Sequence, residues 1–499
     1  MAVLEIVAVA AASAVMAQSC VTTTNQAGGA FYLAPLGVGT PPQVLQTIPD
    51  TGSYDLLLDS VFCRESDCRA HMQYSANQSS TSAMTSASAD PPVNSPIIEA
   101  TAYGQGAVQS VQWQDSISLA GPPLRSARTD MLLIVSSQLS GWSSPGSFDG
   151  IMGLGRRDSS ASTASPQTAL LTALNVTQFT MCLGPMNLPS SVGGRLELGA
   201  GGPLAAAFED EFVDAGLYGD NSWVTPLTAA SLSGGASASV PISLTQLCGS
   251  SGCPALIDSG TTLLTFPTAM QRGVLAGLET ACPGCLTALQ AQETCSGASF
   301  NSLPSLSLTL GGSVFELPPS VYMAPMDVEL LYIVRAGPFT LPYTKAGVRC
   351  VPLFSSIDSS SNLGQMLILG MPFLRAYATR FTRTRAAGGA RMEFARVSNV
   401  TAAACNACPA AAAAGRAGRG SVAAENAMLP ASAAGLTAAT AHSDSASSAS
   451  VVMKLSDVRL PWWLVDPAAR PVHVSGSASR NATAVAELAA GRSRWQVVL

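Results

Sequence analysis

The chain carries the same short frame twice. "TIPDTGSYDLLLDS" (47–60) and "ALIDSGTTLLTFP" (255–267) each pass from apolar residues into Asp, a hydroxyl residue, Gly and a second hydroxyl residue, then turn apolar again. Asp50 and Asp258 hold the same place in the two copies. A carboxylate between two segments that both favour burial is costly unless it is paired, hydrogen-bonded or used in chemistry. A single triplet of this kind fits a tight surface turn between strands. Two copies do not, because each has the same distant companion, an apolar stretch punctuated by glycine. After Asp50 it is "FDGIMGLG", reaching Gly153; after Asp258 it is "LILGMPF", reaching Gly370. A shared local frame with a shared distant partner points to a duplicated, mostly β unit.

The chain's size agrees with duplication. At 499 residues it is too long for one core, and two large domains with appendages is the natural division. Hydrophobic residues make up 47%, enough for packed cores, while the 11% charged fraction and net charge of −6 leave no basic face for nucleic acid. The 44 Gly and 32 Pro, among abundant Ser and Thr, favour many short strands over long helices. Lys345 and Lys454 are the only lysines, which we take as a coding bias rather than a site.

Residues 1–17 have the character of a signal peptide. The apolar stretch from Ile6 to Met16 is too short to span a bilayer, and Val15 and Ala17 place small residues before Gln18. The segment begins weakly, with Glu5 and no Lys or Arg, so an ordinary buried N-terminal segment is the alternative. Twelve cysteines, an even number, suit an oxidising compartment. So do the glycosylation sequons at Asn77, Asn175, Asn399 and Asn481. The expectation is a secretory-pathway protein, extracellular or vacuolar/lysosomal.

Over roughly residues 31–397 the chain resembles the pepsin-like aspartic proteases. "FYLAPLGVGTPPQ" is similar to that family's first strand and its turn, and "CRESDCRAHMQYSANQSST" to its small disulfide loop and following segment. "AYGQGAVQSVQWQDSISLAG" resembles its flap hairpin, with Tyr103 at the flap tyrosine position; "SWVTPL" and "FLRAYATRFT" match later strands. The resemblance implies an all-β, bilobal fold of two pseudo-twofold-related lobes joined by a six-stranded sheet. The expected divisions are a short N-terminal segment at 18–30, lobes at 31–215 and 216–400, and an Ala/Ser-rich tail at 401–499.

The implied activity is aspartic endopeptidase, hydrolysing peptide or unfolded protein with a water activated between Asp50 and Asp258, preferentially between apolar residues. It implies a monomer with no cofactor, no metal and no transmembrane segment beyond the signal. Carried over by position, Gly52 and Gly260 let backbone N–H groups approach the carboxylates. Ser53 and Thr261 would bond the outer carboxylate oxygens, and Thr51 and Ser259 would cross-brace the two loops. Tyr103 would close over substrate, and Phe148, Ile151 and Leu57 would line apolar subsites, although plain core packing explains any one of them equally well.

Departures from the family pattern carry expectations of their own. Leu57 stands where many members have a tryptophan that holds the flap tyrosine; beta-secretase-like members also lack it. Pro49 precedes the first Asp, removing a backbone donor and fixing φ, which implies a shifted local geometry. The stretch between Ala17 and Phe31 leaves no room for a basic inhibitory prosegment, so other regulation or an incomplete N-terminus is expected. These departures support the alternative of a catalytically inactive, pepsin-like binding protein.

For the cysteines the resemblance implies Cys63–Cys68, Cys295–Cys350, and Cys182 joined to Cys405 or Cys408. That leaves Cys248–Cys253 and Cys282–Cys285 as local pairs and Cys20 for the remaining tail cysteine. "CPGC" (282–285) has redox-motif spacing, but no β-α-β context surrounds it, and nothing else suggests a zinc module. Beyond about Val397 the Ala/Ser-rich run looks like a flexible linker. "LPWWLV" (460–465) is too short to span a membrane and is expected to be a surface strand, with a docking segment as the alternative.

Overall fold

The computed structural model describes residues 19–85, 96–103, 106–119, 125–137, 148–156, 169–186, 193–219, 222–234, 239–244, 247–248, 251–336, 339–358, 360–361, 364–383, 389–398, 401–406, 408 and 453–454. Residues 1–17, Asn399, Asn481 and "LPWWLV" lie outside these, so the expectations about them are not addressed by it.

Each copy of the Asp frame ends or directly follows a buried strand, and its distant glycine stretch is that strand's parallel partner. Gln43–Asp50 runs beside Gly150–Gly153, with Asp50 opposite Gly153. Cys253–Ile257 runs beside Leu367–Leu369, and the Asp258 amide donates to the Leu369 carbonyl at 3.2 Å. In both copies the chain then returns antiparallel on the other side of the glycine strand, as Leu56–Leu58 and as Leu264–Phe266. The glycines are dictated by this crowding. A Cβ at Gly153 would stand 2.4 Å from the Tyr54 carbonyl carbon, and one at Gly370 would stand 2.4 Å from the Thr261 carbonyl oxygen.

Around each motif an antiparallel lobe is built. In the first half, Phe31–Val38, Gly106–Leu119 and Arg125–Ser137 extend the sheet, and the hairpin Ile98–Tyr103/Gly106–Leu119 projects from it. In the second half, Ser313–Leu317, Ser305–Leu310 and Val224–Ser233 lead into Cys253–Ile257. The longest helix among the described residues, Thr268–Ala281, packs on this lobe through Met270, Val274 and Leu278, spaced at the interval that puts them on one helical face.

The lobes meet in one antiparallel layer, ordered Val213–Asp214, Arg391–Arg396, Tyr377–Thr382, Gln178–Leu183, Gly194–Leu198 and Ser19–Gln26. These are the six strands of the expected joining sheet. Alternation of buried and half-buried residues along Ser19–Gln26 is what a strand packed on one face requires. Phe179 from the first half stacks on Phe381 from the second at 4.6 Å, and Trp223 packs edge-on against Phe381 at 4.9 Å. Trp223 is fully buried, and its Nε1–H donates to the Leu154 carbonyl at 2.9 Å, so this ring bonds one lobe while filling the other. Its truncation to Ala belongs to the class costing about 3–5 kcal/mol. The expected all-β bilobal architecture is therefore the one observed. Among the described residues no helix is long and apolar enough to cross a membrane.

The first tail residues are pinned to this layer. Cys405 is bridged to Cys182 and Cys408 to Cys20, while the Arg195 guanidinium donates to the Ala404 carbonyl at 3.4 Å. The remaining bridges are Cys63–Cys68, Cys248–Cys253, Cys282–Cys285 and Cys295–Cys350. Every cysteine is thus bridged, including both of the CPGC segment.

Candidate active site

The two Asp frames, about two hundred residues apart in sequence, meet at the junction of the lobes. Asp50 is 7% exposed and Asp258 is 1% exposed. The Gly52 amide donates to Asp50 Oδ1 at 2.8 Å, and the Gly260 amide donates to Asp258 Oδ1 at 2.7 Å. A side chain at either glycine has no space: a Cβ on Gly52 would lie 2.6 Å from Asp258 Cγ, and one on Gly260 would lie 2.5 Å from Asp50 Oδ1. Each carboxyl thus rests on the other loop's glycine, and the two share a hydrogen bond.

The neighbouring hydroxyls lock the loops together. The Thr51 amide donates to Ser259 Oγ at 3.0 Å, and the Ser259 amide donates to Thr51 Oγ1 at 3.0 Å. Each hydroxyl then passes its own proton beneath the opposite strand: Thr51 Oγ1 donates to the Ile257 carbonyl at 2.8 Å and Ser259 Oγ to the Pro49 carbonyl at 2.7 Å. All four bonds are buried and cross between lobes, so the loops cannot move apart without leaving polar groups unpaired.

The third hydroxyl of each frame breaks the symmetry. Thr261 Oγ1 donates to Asp258 Oδ2 at 2.6 Å, as expected. Ser53 Oγ is buried and has no hydrogen-bond partner, so the matching bond to Asp50 is absent. The Asp50 carboxyl is engaged instead by the Gly52 amide and by Asp258. Burial, and then the adjacent Asp50 charge, hold Asp258 well above the usual carboxylate range, against the Thr261 hydroxyl and Gly260 amide, which favour its charged form.

Pro49 does not shift the geometry in the way its residue type suggests. The register with Gly150–Gly153 is unbroken from Thr47 to Asp50, and pairing with Phe31–Val38 stops at Thr47. On that side the ladder has already ended before the missing N–H. Leu57, 1% exposed, packs with Phe31, Ile48, Phe148 and Leu132 in an apolar cluster that Ile151 covers. Phe148 is itself 2% exposed and meets Phe31 edge to face at 5.9 Å. Both therefore serve as packed floor in this structure.

Tyr103 ends the first arm of the projecting hairpin and pairs with Gly106; its side chain lies outside the described residues. Asn77 and Asn175 are exposed. Reading by position missed Thr262, whose Oγ1 donates to the Ala30 carbonyl at 2.8 Å and ties the second Asp loop to the first lobe. The run of two threonines after Gly260 was the available signal.

With this geometry in view, the chain's relatives are informative. Residues 31–390 match the eukaryotic aspartyl protease family. The chain is similar to pepsin A of Canis lupus familiaris, 28% identical over 359 residues covering 70% of this chain and 78% of that protein. It is 26% identical to pepsin A of Sus scrofa over 361 residues, covering 70% and 78% respectively. Against pepsin A of Bos taurus it is 26% identical over 370 residues, covering 70% of this chain and 81% of that protein. On the strength of a match spanning most of its length, the chain belongs to the eukaryotic aspartyl protease family.

Proposed function

We propose that this protein is an aspartic endopeptidase in which Asp50 and Asp258 act together on one water. The observation that carries this reading is the reciprocal seating of the two carboxyls, each on the other's glycine loop, with Asp258 biased toward holding the proton. The ionised partner takes a proton from the water, whose oxygen attacks the scissile carbonyl carbon. The protonated partner donates to the carbonyl oxygen, so a tetrahedral diol forms without an acyl-enzyme. Collapse of the diol with protonation of the amide nitrogen breaks the C–N bond.

An extended peptide is the substrate form that suits the projecting hairpin Ile98–Tyr103/Gly106–Leu119, which can offer backbone groups to an added strand. The apolar cluster of Phe31, Phe148, Val108 and Leu263 supports apolar side chains around the scissile bond. The bridged cysteines and the exposed sequons at Asn77 and Asn175 support a secreted or vacuolar location.

The test is digestion of a denatured protein from pH 2 to pH 7 with wild type, Asp50→Asn and Asp258→Asn. Either substitution lowers the rate by about 10²–10⁴-fold, and the double variant is little worse, because the two groups act as one. A statine-type mimic of the diol binds wild type far more tightly than either variant. A folded wild type that neither cleaves nor binds the mimic removes the enzyme reading in favour of an inactive binding protein.

A further inference from the structure

A segment of the tail returns to pair with a strand of the second lobe. Met453–Lys454 forms a short strand running parallel to Met323–Ala336, with Met453 opposite Met326 and Lys454 opposite Asp327. The other edge of Met323–Ala336 is already taken along its length by Phe339–Pro352, so the tail strand occupies its remaining edge. The tail strand also lies against the turn Ala27–Gly29 of the first lobe.

That position is linked to the Asp258 loop through the first lobe's turn. Ala30, next after the turn, accepts the Thr262 hydroxyl, and Thr262 adjoins the Thr261 that bonds Asp258. Met326, Val328 and Ala324 from the hairpin share one apolar cluster with Phe31, Phe148, Leu263 and Val108, the last lying two residues into the returning arm of the flap-like hairpin. The tail strand therefore lies between the Met323–Ala336 strand of the second lobe and the Ala27–Gly29 turn of the first. An unpaired strand edge beside a peptide cleft is the surface on which an extended chain adds itself by backbone hydrogen bonds.

We propose that the edge of Met323–Val328 is a peptide-docking surface whose resident occupant is the chain's own Met453–Lys454 segment, which competes there with long substrates. This deepens the endopeptidase reading and rests on it only for the word substrate; the docking stands or falls alone. The segment is tethered at Cys408 by its bridge to Cys20. Attachment on the same chain gives an effective concentration on the order of 1 mM, so a strand with a free dissociation constant of about 0.1 mM would be docked about nine-tenths of the time. Peptides reaching this end of the cleft meet a site occupied about tenfold more often than not, whereas short peptides spanning only the Asp pair do not.

The experiment places a site for a sequence-specific protease between residues 425 and 440 and cuts the folded full-length protein there, leaving the tail held by contacts alone. Backbone hydrogen exchange at 324–328 is followed in the Asp258→Asn protein before and after cutting, which requires no catalysis. Cutting and washing should speed exchange at these amides by about tenfold, and Met453→Pro with Lys454→Pro should do the same in the uncut chain. Unchanged exchange in both cases overturns the docking. In wild type, cutting should raise affinity for a long reduced-bond peptide by about tenfold and leave a four-residue one unchanged. A synthetic peptide of residues 449–466 added back should reverse the gain. Equal effects on both lengths, or none on the long one, overturn the competition. Altered exchange and binding in a protein that cleaves nothing would leave the docking intact and count against the endopeptidase reading alone.

Discussion

Gly52 leaves no space between its own loop and the carboxyl of Asp258: a Cβ there would stand 2.6 Å from Asp258 Cγ and 2.8 Å from Oδ2. Gly260 stands in the same relation to Asp50. The glycines thus set the separation of the two carboxyls, in addition to donating an amide to their own Asp. Gly52→Ala or Gly260→Ala should push the pair apart and lower kcat by about 10²-fold or more, since misplacement of order 1 Å has that effect. The far-ultraviolet circular dichroism should be unchanged. Full activity in either variant would mean the loops yield easily and do not set the spacing.

The unequal hydroxyls make a second, sharper prediction. Thr261 Oγ1 donates to Asp258 Oδ2, which favours the charged form, whereas Ser53 Oγ has no partner. Thr261→Val should raise the pKa of Asp258 further and move the alkaline limb of the pH–rate profile upward by about 1–2 units, given about 1.5–3 kcal/mol for a hydrogen bond to a charge. Ser53→Ala removes a buried hydroxyl that bonds nothing, so the profile should stay in place and stability should hold or rise slightly. Equal shifts from both substitutions would show that the two sides of the pair are equivalent.

Burial of Asp258 also fixes how stability depends on pH. Its pKa is raised on folding, so the folded state binds the proton more tightly than the unfolded chain. The associated stability is fully present below the ordinary Asp value of about 3.9 and is lost as pH rises through the raised folded value. Asp258→Asn removes this dependence. The variant should therefore gain on wild type as pH rises from 3.5 to 7, by about 2–4 °C in Tm for each kcal/mol released. Thermal unfolding at the two pH values checks this, and a constant difference between the proteins would contradict it.

Much of this architecture was legible because the duplication repeats both a local frame and its distant glycine, and the structure gives that relation a physical form. Gly153 ends the strand beside that of Asp50, and Gly370 directly follows the strand beside Cys253–Ile257, where any side chain would strike backbone. Pattern could carry this because backbone crowding tolerates only one residue type. The Ser53 hydroxyl was not legible, since its frame is the same as that of Thr261 and yet only Thr261 bonds its Asp. Pro49 misled because a residue type says nothing about where a neighbouring strand stops; the ladder with Phe31–Val38 ends at Thr47. The docking of Met453–Lys454 was invisible for a similar reason. Two residues pairing through backbone groups leave almost no mark on composition.

The bridges supply a last prediction, resting on how much chain each one closes. Cys63–Cys68 spans a separation of 5 residues, and Cys182–Cys405 spans 223. In the chain-entropy account the first restrains the unfolded chain by about 2 kcal/mol and the second by about 5 kcal/mol. The native environments do not reverse that order, because all four cysteines are buried and paired Ala substitutions remove comparable sulfur from each site. Cys405 also anchors the tail at the joining sheet, where Leu204, Phe208 and Ala378 pack around the bridge. Replacing Cys182 and Cys405 by Ala should therefore lower Tm by clearly more than replacing Cys63 and Cys68. At about 2–4 °C per kcal/mol the gap is about 6–12 °C. Thermal unfolding at acidic pH, where thiol exchange is slow, gives the comparison. Equal losses, or a larger one from the short loop, would show that local packing of the 63–68 loop outweighs chain closure.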